Sequence, residues 1–181
     1  MNSIHKHNFL NHNIQGLLKK LILKYKLQAL LKKPLPTGSN NSRVIILIDV
    51  DTFNEESVLK NYNNVFQDYV KNTDVVKFTL QKKKIKENPD ALISTRAISL
   101  TGEFNNKVLK KVISQEYEYV FQFFDQNHLY LNYLLAKTKA SLRIGFENNH
   151  QQLTDLSIKS NKEDLALFFN EAKKYLQIIK K

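Results

Sequence analysis

Residues 43–80, RVIILIDVDTFNEESVLKNYNNVFQDYVKNTDVVKFTL, decide the fold. Arg43 to Val50 is a compact, largely β-branched run with no turn residue inside it, as in a strand buried on both faces. Thr52 and Glu55 follow at the spacing of a capping box, in which Thr52 caps a helix and Glu55 reaches back. That helix would carry Val58, Leu59, Tyr62, Val65, Phe66 and Tyr69 on one face. Val75 to Leu80 reads as a second strand. Strand, helix and strand over about 35 residues make the βαβ unit of a parallel sheet.

The pattern repeats downstream, after a stretch that is harder to read. Lys82-Lys83-Lys84-Ile85-Lys86 is expected as an exposed basic loop before Pro89, and Ala97 to Thr101 as a strand turned by Gly102. Asn105 to Ser114 reads as a short helix and Tyr117 to Phe124 as a strand ended by Asp125. His128 to Lys139 follows as a helix and Ser141 to Phe146 as a strand. Leu153 to Ile158 would add an edge strand, and Lys162 to Lys180 a closing amphipathic helix. The expected class is α/β: a three-layer, doubly wound, mostly parallel sheet over residues 43–181.

Upstream the chemistry changes. The first acidic residue is Asp49; before it stand Lys6, Lys19, Lys20, Lys24, Lys26, Lys32, Lys33, Arg43, His5, His7 and His12. Those residues hold +8 of the formal +11, and the rest of the chain only +3. Residues 1–13 are polar without a sustained period, and Ile14 to Lys33 turns helical. Ile14, Leu17, Leu18, Leu21 and Tyr25 form one apolar stripe; Leu23, Leu27 and Leu30 form a narrower second line; Lys19, Lys26 and Lys33 stack seven apart. Pro34 and Pro36 end the helix, and Thr37 to Ser42 reads as a linker. The expected organisation is a basic N-terminal extension over 1–42, with helix 14–33 and linker 34–42, preceding a Rossmann-like domain over 43–181.

Composition narrows the function classes. With no cysteine, disulfides, thiolate zinc sites, iron–sulfur clusters and thiol nucleophiles are excluded, and a reducing cytoplasm is the expected compartment. Lysines interrupt every Leu/Ile cluster of the N-terminus, unlike the apolar core of a secretory signal. Only Arg43, Arg96 and Arg143 are arginine, which points toward phosphate neutralisation and away from base reading. The four glycines, Gly16, Gly38, Gly102 and Gly145, form neither a dinucleotide fingerprint nor a P-loop.

Three stretches carry a family likeness: YVFQFFD at 119–125 with the Leu/Tyr-rich helix after it, AKTKASLRIG at 136–145, and LTDLSI at 153–158. With the basic first helix and the Lys-Tyr-Leu final helix, they resemble an uncharacterised Bacteroidota family of short cytoplasmic proteins. That family is known only as a domain of unknown function, and the resemblance implies an α/β fold and no activity. Residues 136–145 are also faintly similar to a helix-to-strand turn of heptosyltransferase-type glycosyltransferases, which have two such domains where this chain has length for one.

Candidate chemistry is sparse. Asp49 and Asp51 sit where open α/β sheets place a ligand crevice and, at i and i+2, could hold Mg²⁺; the plainer reading is that they end the strand and complement the next helix. Asp125 and His128 follow a later strand without a visible nucleophile, and Ser94, Ser99 and Ser141 lack a nucleophile elbow. His5, His7 and His12 have no metal-site spacing. No cofactor, metal or catalytic residue is assigned. What remains is the basic set: Lys6, Lys19, Lys20, Lys24, Lys26, Lys32, Lys33 and Arg43, with Lys82, Lys83, Lys84 and Lys86. These lead to the expectation of a non-enzymatic RNA-binding accessory protein on ribosomal RNA and possible ribosomal protein partners. A minimal glycosyltransferase-like enzyme and a peripheral protein on an anionic membrane are the alternatives.

Overall fold

The computed structural model describes residues 3–39, 41–87 and 91–179; the side chains of residues 3–13 and of Val70 lie outside that description. The sequence reading of Asn40 in the linker, of Pro89 and of the helix end at Lys180 therefore falls outside the described residues. So do the side chains of Lys6, His5, His7 and His12.

The elements are α1 (Ser3–Leu31), β1 (Val44–Asp49), α2 (Glu55–Val65), β2 (Thr73–Phe78), α3 (Lys82–Glu87) and α4 (Lys107–Ser114). They continue with β3 (Glu116–Phe123), α5 (Leu129–Lys137), β4 (Lys139–Phe146), β5 (Leu156–Ile158) and α6 (Leu165–Ile179). The five strands run parallel in the order β2-β1-β3-β4-β5. This is the doubly wound order whose switch point lies between β1 and β3.

The interior strand β1 divides the core by alternation. Val44, Ile46 and Ile48 of β1 face α2 and α6, among Val58, Tyr62, Phe121, Phe123, Phe168 and Phe169. Ile45 and Leu47 face the opposite layer, among Leu109, Leu131, Leu134 and Leu135 of α4 and α5. Leu23 and Leu27 of α1 belong to that second layer, and α1 packs on α5. The first helix thus belongs to the layer on this face of the sheet, packed on α5.

Its connection is pinned along much of its length. Pro36 accepts a hydrogen bond at 2.6 Å from the buried Arg143 guanidinium, and its carbonyl also receives the Ala140 N–H at 3.3 Å. The Asn41 side chain bonds the Glu116 carbonyl at 2.8 Å, and the Ser42 N–H donates to Glu118 at 3.0 Å. A Cβ on Gly38 would lie 2.9 Å from Ala140 Cα and closer still to the Tyr117 carbonyl, so the glycine lets the strap pass against β3 and β4.

Several sequence expectations are corrected. The first helix begins at Ser3 rather than near Ile14. Asn54 caps α2, accepting from Ser57 N–H at 2.8 Å, because the Thr52 hydroxyl is taken by Asp49 at 2.7 Å. Lys82 to Glu87 is a short helix rather than a loop. Ala97 to Thr101 makes no strand: a 3₁₀ turn at Thr95–Ala97 is followed by a single antiparallel bridge between Ile98 and Phe104. The segment turns back on itself, the Ser99 N–H donating to the Glu103 carbonyl at 2.7 Å, and lysines of α1 take its Ile98 and Thr101 carbonyls.

Candidate functional site

The carboxyl ends of the strands come first, because doubly wound sheets bind ligands there. Asp49 is buried at the end of β1 and accepts from the Asp51 N–H at 3.0 Å and the Thr52 hydroxyl. Asp51 reaches across to the β2 side. It accepts from the Thr79 hydroxyl at 2.7 Å and the Leu80 N–H at 2.8 Å, and lies 3.1 Å from the Lys84 ammonium. Burial raises the Asp51 pKa, but these donors and the Lys84 charge outweigh it and hold the carboxyl below its usual range. Lys84 also donates to the Val50 carbonyl at 2.7 Å. Asp51 therefore ties the β1 and β2 ends together, while Asp49 closes the turn that follows β1.

The other side of the switch point is also occupied by protein groups. Asp125, just past β3, is paired with Lys162, whose ammonium lies 5.6 Å from the Phe53 ring centre. Lys162 thus spans the gap between the β1 and β3 loops. Nothing in the sequence signalled this residue, which stands in an ordinary charged stretch ahead of α6. Among the described residues no group of three or more His, Asp or Glu side chains has the geometry to hold a metal ion.

His128 caps α5. Its Nδ1 accepts the Leu131 N–H at 3.1 Å, which leaves Nε2 to carry the proton in the neutral ring. That Nε2 is buried without a hydrogen-bond partner, and Phe78 stands edge-on to the ring at 5.1 Å between centres. Burial lowers the His128 pKa below its ordinary value, and the fields of Asp49, Asp51 and Asp125 only partly oppose this. Protonation would destroy the cap as well as charge a buried ring.

The sign of the linkage is then fixed. The unfolded chain takes up a proton near pH 6.5 and the folded chain only at lower pH. Stability is retained above about pH 6.5 and falls as the pH drops from there toward the lowered folded pKa. His128→Asn keeps a capping acceptor and removes the ionisation. Its unfolding free energy should vary less than that of the parent as the pH falls below about 6.5. Parallel slopes in urea melts across that range would remove His128 from the account.

The twelve basic residues singled out by sequence separate into groups. Lys19 donates to the Thr95 carbonyl at 2.6 Å and to that of Ile98, and Lys26 to that of Thr101. Burial pushes the Lys19 pKa down. Arg43 bonds Gln115 at 2.8 Å and lies 3.5 Å from Asp74. Lys84 is held as described, and Lys83 sits 4.0 Å from Glu87 with its side chain largely in solvent. Lys20, Lys24, Lys32, Lys33, Lys82 and Lys86 are exposed and have no partner among the described residues.

Among the described residues, the first cluster reaches the neighbourhood of the second through Lys19 alone. Lys82 and Lys86 line a groove with Thr79, Leu80, Ile85, Ser94, Thr95 and Arg96. Thr95 is the residue whose carbonyl Lys19 grips, so α1 borders the segment that forms one wall of this groove. Arg96, exposed on that wall, completes the basic rim and was not singled out by sequence; its place beside a loop gave no signal.

A family of unknown function, DUF6913, matches residues 19–179. The chain belongs to this family. The match begins at Lys19, so the DUF6913 domain includes the part of α1 that reaches the core as well as the whole sheet. Comparison with curated proteins and with solved structures gave no match.

Proposed function

We propose that this DUF6913 protein is a non-enzymatic RNA-binding accessory protein, with ribosomal RNA as its expected partner. The observation that carries the reading is the convergence of Lys82, Lys86 and Arg96 on a groove bordered by α1. Lysines held by backbone carbonyls fix the helix there, while Lys20, Lys24, Lys32 and Lys33 remain exposed along it. A row of ammonium groups on a rigid helix suits a phosphate backbone, which rewards charge and tolerates any base sequence. A glycosyltransferase reading draws less support, because Asp49, Asp51 and Asp125 are each engaged by groups of the protein itself.

Neutralising about six phosphates gives a log–log salt slope of about −4 to −5. Replacing Lys82, Lys86 and Arg96 together by alanine should weaken binding to all RNA sequences alike. It should also flatten the slope by about 2 to 3, at roughly 0.7 to 0.9 for each lost contact. Filter binding to fragmented ribosomal RNA over a range of salt concentrations measures both. A triple variant with the parental slope would mean that this groove does not touch RNA. Substitution is the cleaner route here, since deleting residues 1–42 would also remove Leu23 and Leu27 from the core.

A further inference from the structure

The first helix docks on the body by its narrower apolar line and leaves the wider one outside. Leu23 and Leu27 are buried and Leu30 packs beside them, whereas Ile14, Leu17, Leu18, Leu21 and Tyr25 are between 45 and 77 % exposed. Two positions along a helix turn about 200°, so Leu21 and Leu23 point to opposite sides. The exposed row is therefore the outer face of the molecule at this point. Scattered apolar residues on a surface are ordinary, but a contiguous row of five large ones marks a surface that meets something apolar.

Charge identifies what that is. No acidic residue occurs in the helix, and Lys20 and Lys24 flank the row, exposed and without a partner among the described residues. A second copy of the same helix would bring lysines against lysines. RNA phosphates have no use for a row of leucines. An anionic lipid surface takes both features at once: the acyl boundary receives Leu and Tyr, and the headgroups receive the ammonium groups. Among the described residues no helix is long and apolar enough to cross a membrane, so the helix would lie in the interface. Residues 14–18 are exposed on every side, and a Cβ on Gly16 would meet nothing within 4 Å, so these turns stand clear of the body and can enter the headgroup layer first.

We propose that the outer face of α1 is a membrane-interface surface that holds the α/β body against anionic lipid. This inference rests on the exposed apolar row with Lys20 and Lys24 beside it, and not on the groove of Lys82, Lys86 and Arg96, so either reading can fail alone. The test uses the full chain, vesicles of phosphatidylcholine with and without phosphatidylglycerol, and near-physiological salt. The parent should float with the anionic vesicles and stay behind with the neutral ones. Leu17→Asn with Leu21→Asn should lower partitioning by about 30-fold or more, since two leucines no longer enter the acyl boundary. Its thermal melt should match the parent's, because neither side chain is buried in the fold. Absence of parental binding would overturn the proposal. So would unchanged binding by the double variant, which would mean adsorption by charge alone. A dimer in sedimentation equilibrium that the double variant abolishes would also overturn it, by assigning the row to a second copy.

Discussion

Phe169→Ala is expected to lower the unfolding free energy by about 3–5 kcal/mol, a large share of the stability of a domain this size. Phe169 is fully buried on α6, and its ring meets those of Tyr62, Phe121, Phe123 and Phe168 at centre distances of 5.3 to 5.8 Å. Those partners come from α2, β3 and α6, so one ring joins three elements. The backbone cannot close the space, because β3 is held by neighbours on both sides. Urea unfolding followed by far-UV circular dichroism measures the loss. A change below about 1 kcal/mol would show that the aromatic layer collapses into the gap, contrary to close packing.

Arg143→Met should cost about 2–4 kcal/mol and act first on the opposite side of the sheet. The guanidinium is buried and donates to the carbonyls of Pro36 at 2.6 Å and Thr138 at 3.0 Å, with Asp155 at 3.5 Å. Methionine fills the stem volume but takes that donor from the Thr138 carbonyl, a desolvation penalty of about 1–3 kcal/mol, and leaves the Pro36 carbonyl with only the longer bond from the Ala140 N–H. Asp155 is partly in water, so its lost pair adds little. Since Pro36 lies in the strap that fastens α1, hydrogen exchange should quicken in α1 while α6 keeps its protection. Equal acceleration in both helices would show that Arg143 supports the fold as a whole and not the strap.

How far the sequence reveals this molecule depends on whether a residue's partner is local. The run at Val44–Asp49 is legible because a strand flanked by strands needs apolar groups on both faces, and so are α2 and α6, whose apolar sides repeat at helical spacing. The cap of α2 is harder to read because the Thr52 hydroxyl has two possible partners, and the Asp49 carboxylate three residues back takes it. Which apolar line of α1 docks was open in the sequence for a similar reason. The longer line looks the better core, yet the shorter one meets α5. The basic groove was half visible: Lys82 and Lys86 stood out, but Arg96 joins them only through the turn at Thr95–Ala97.

The packing of α1 on α5 also sets an order of events during synthesis. The helix leaves the ribosome well before α5, the helix it packs on, which is made about 100 residues later. At translation rates of about 5–20 residues per second, Leu23 and Leu27 wait for roughly 5–20 s with no native surface to cover them. For that interval both leucine rows of the nascent chain are open to whatever stands near the exit tunnel.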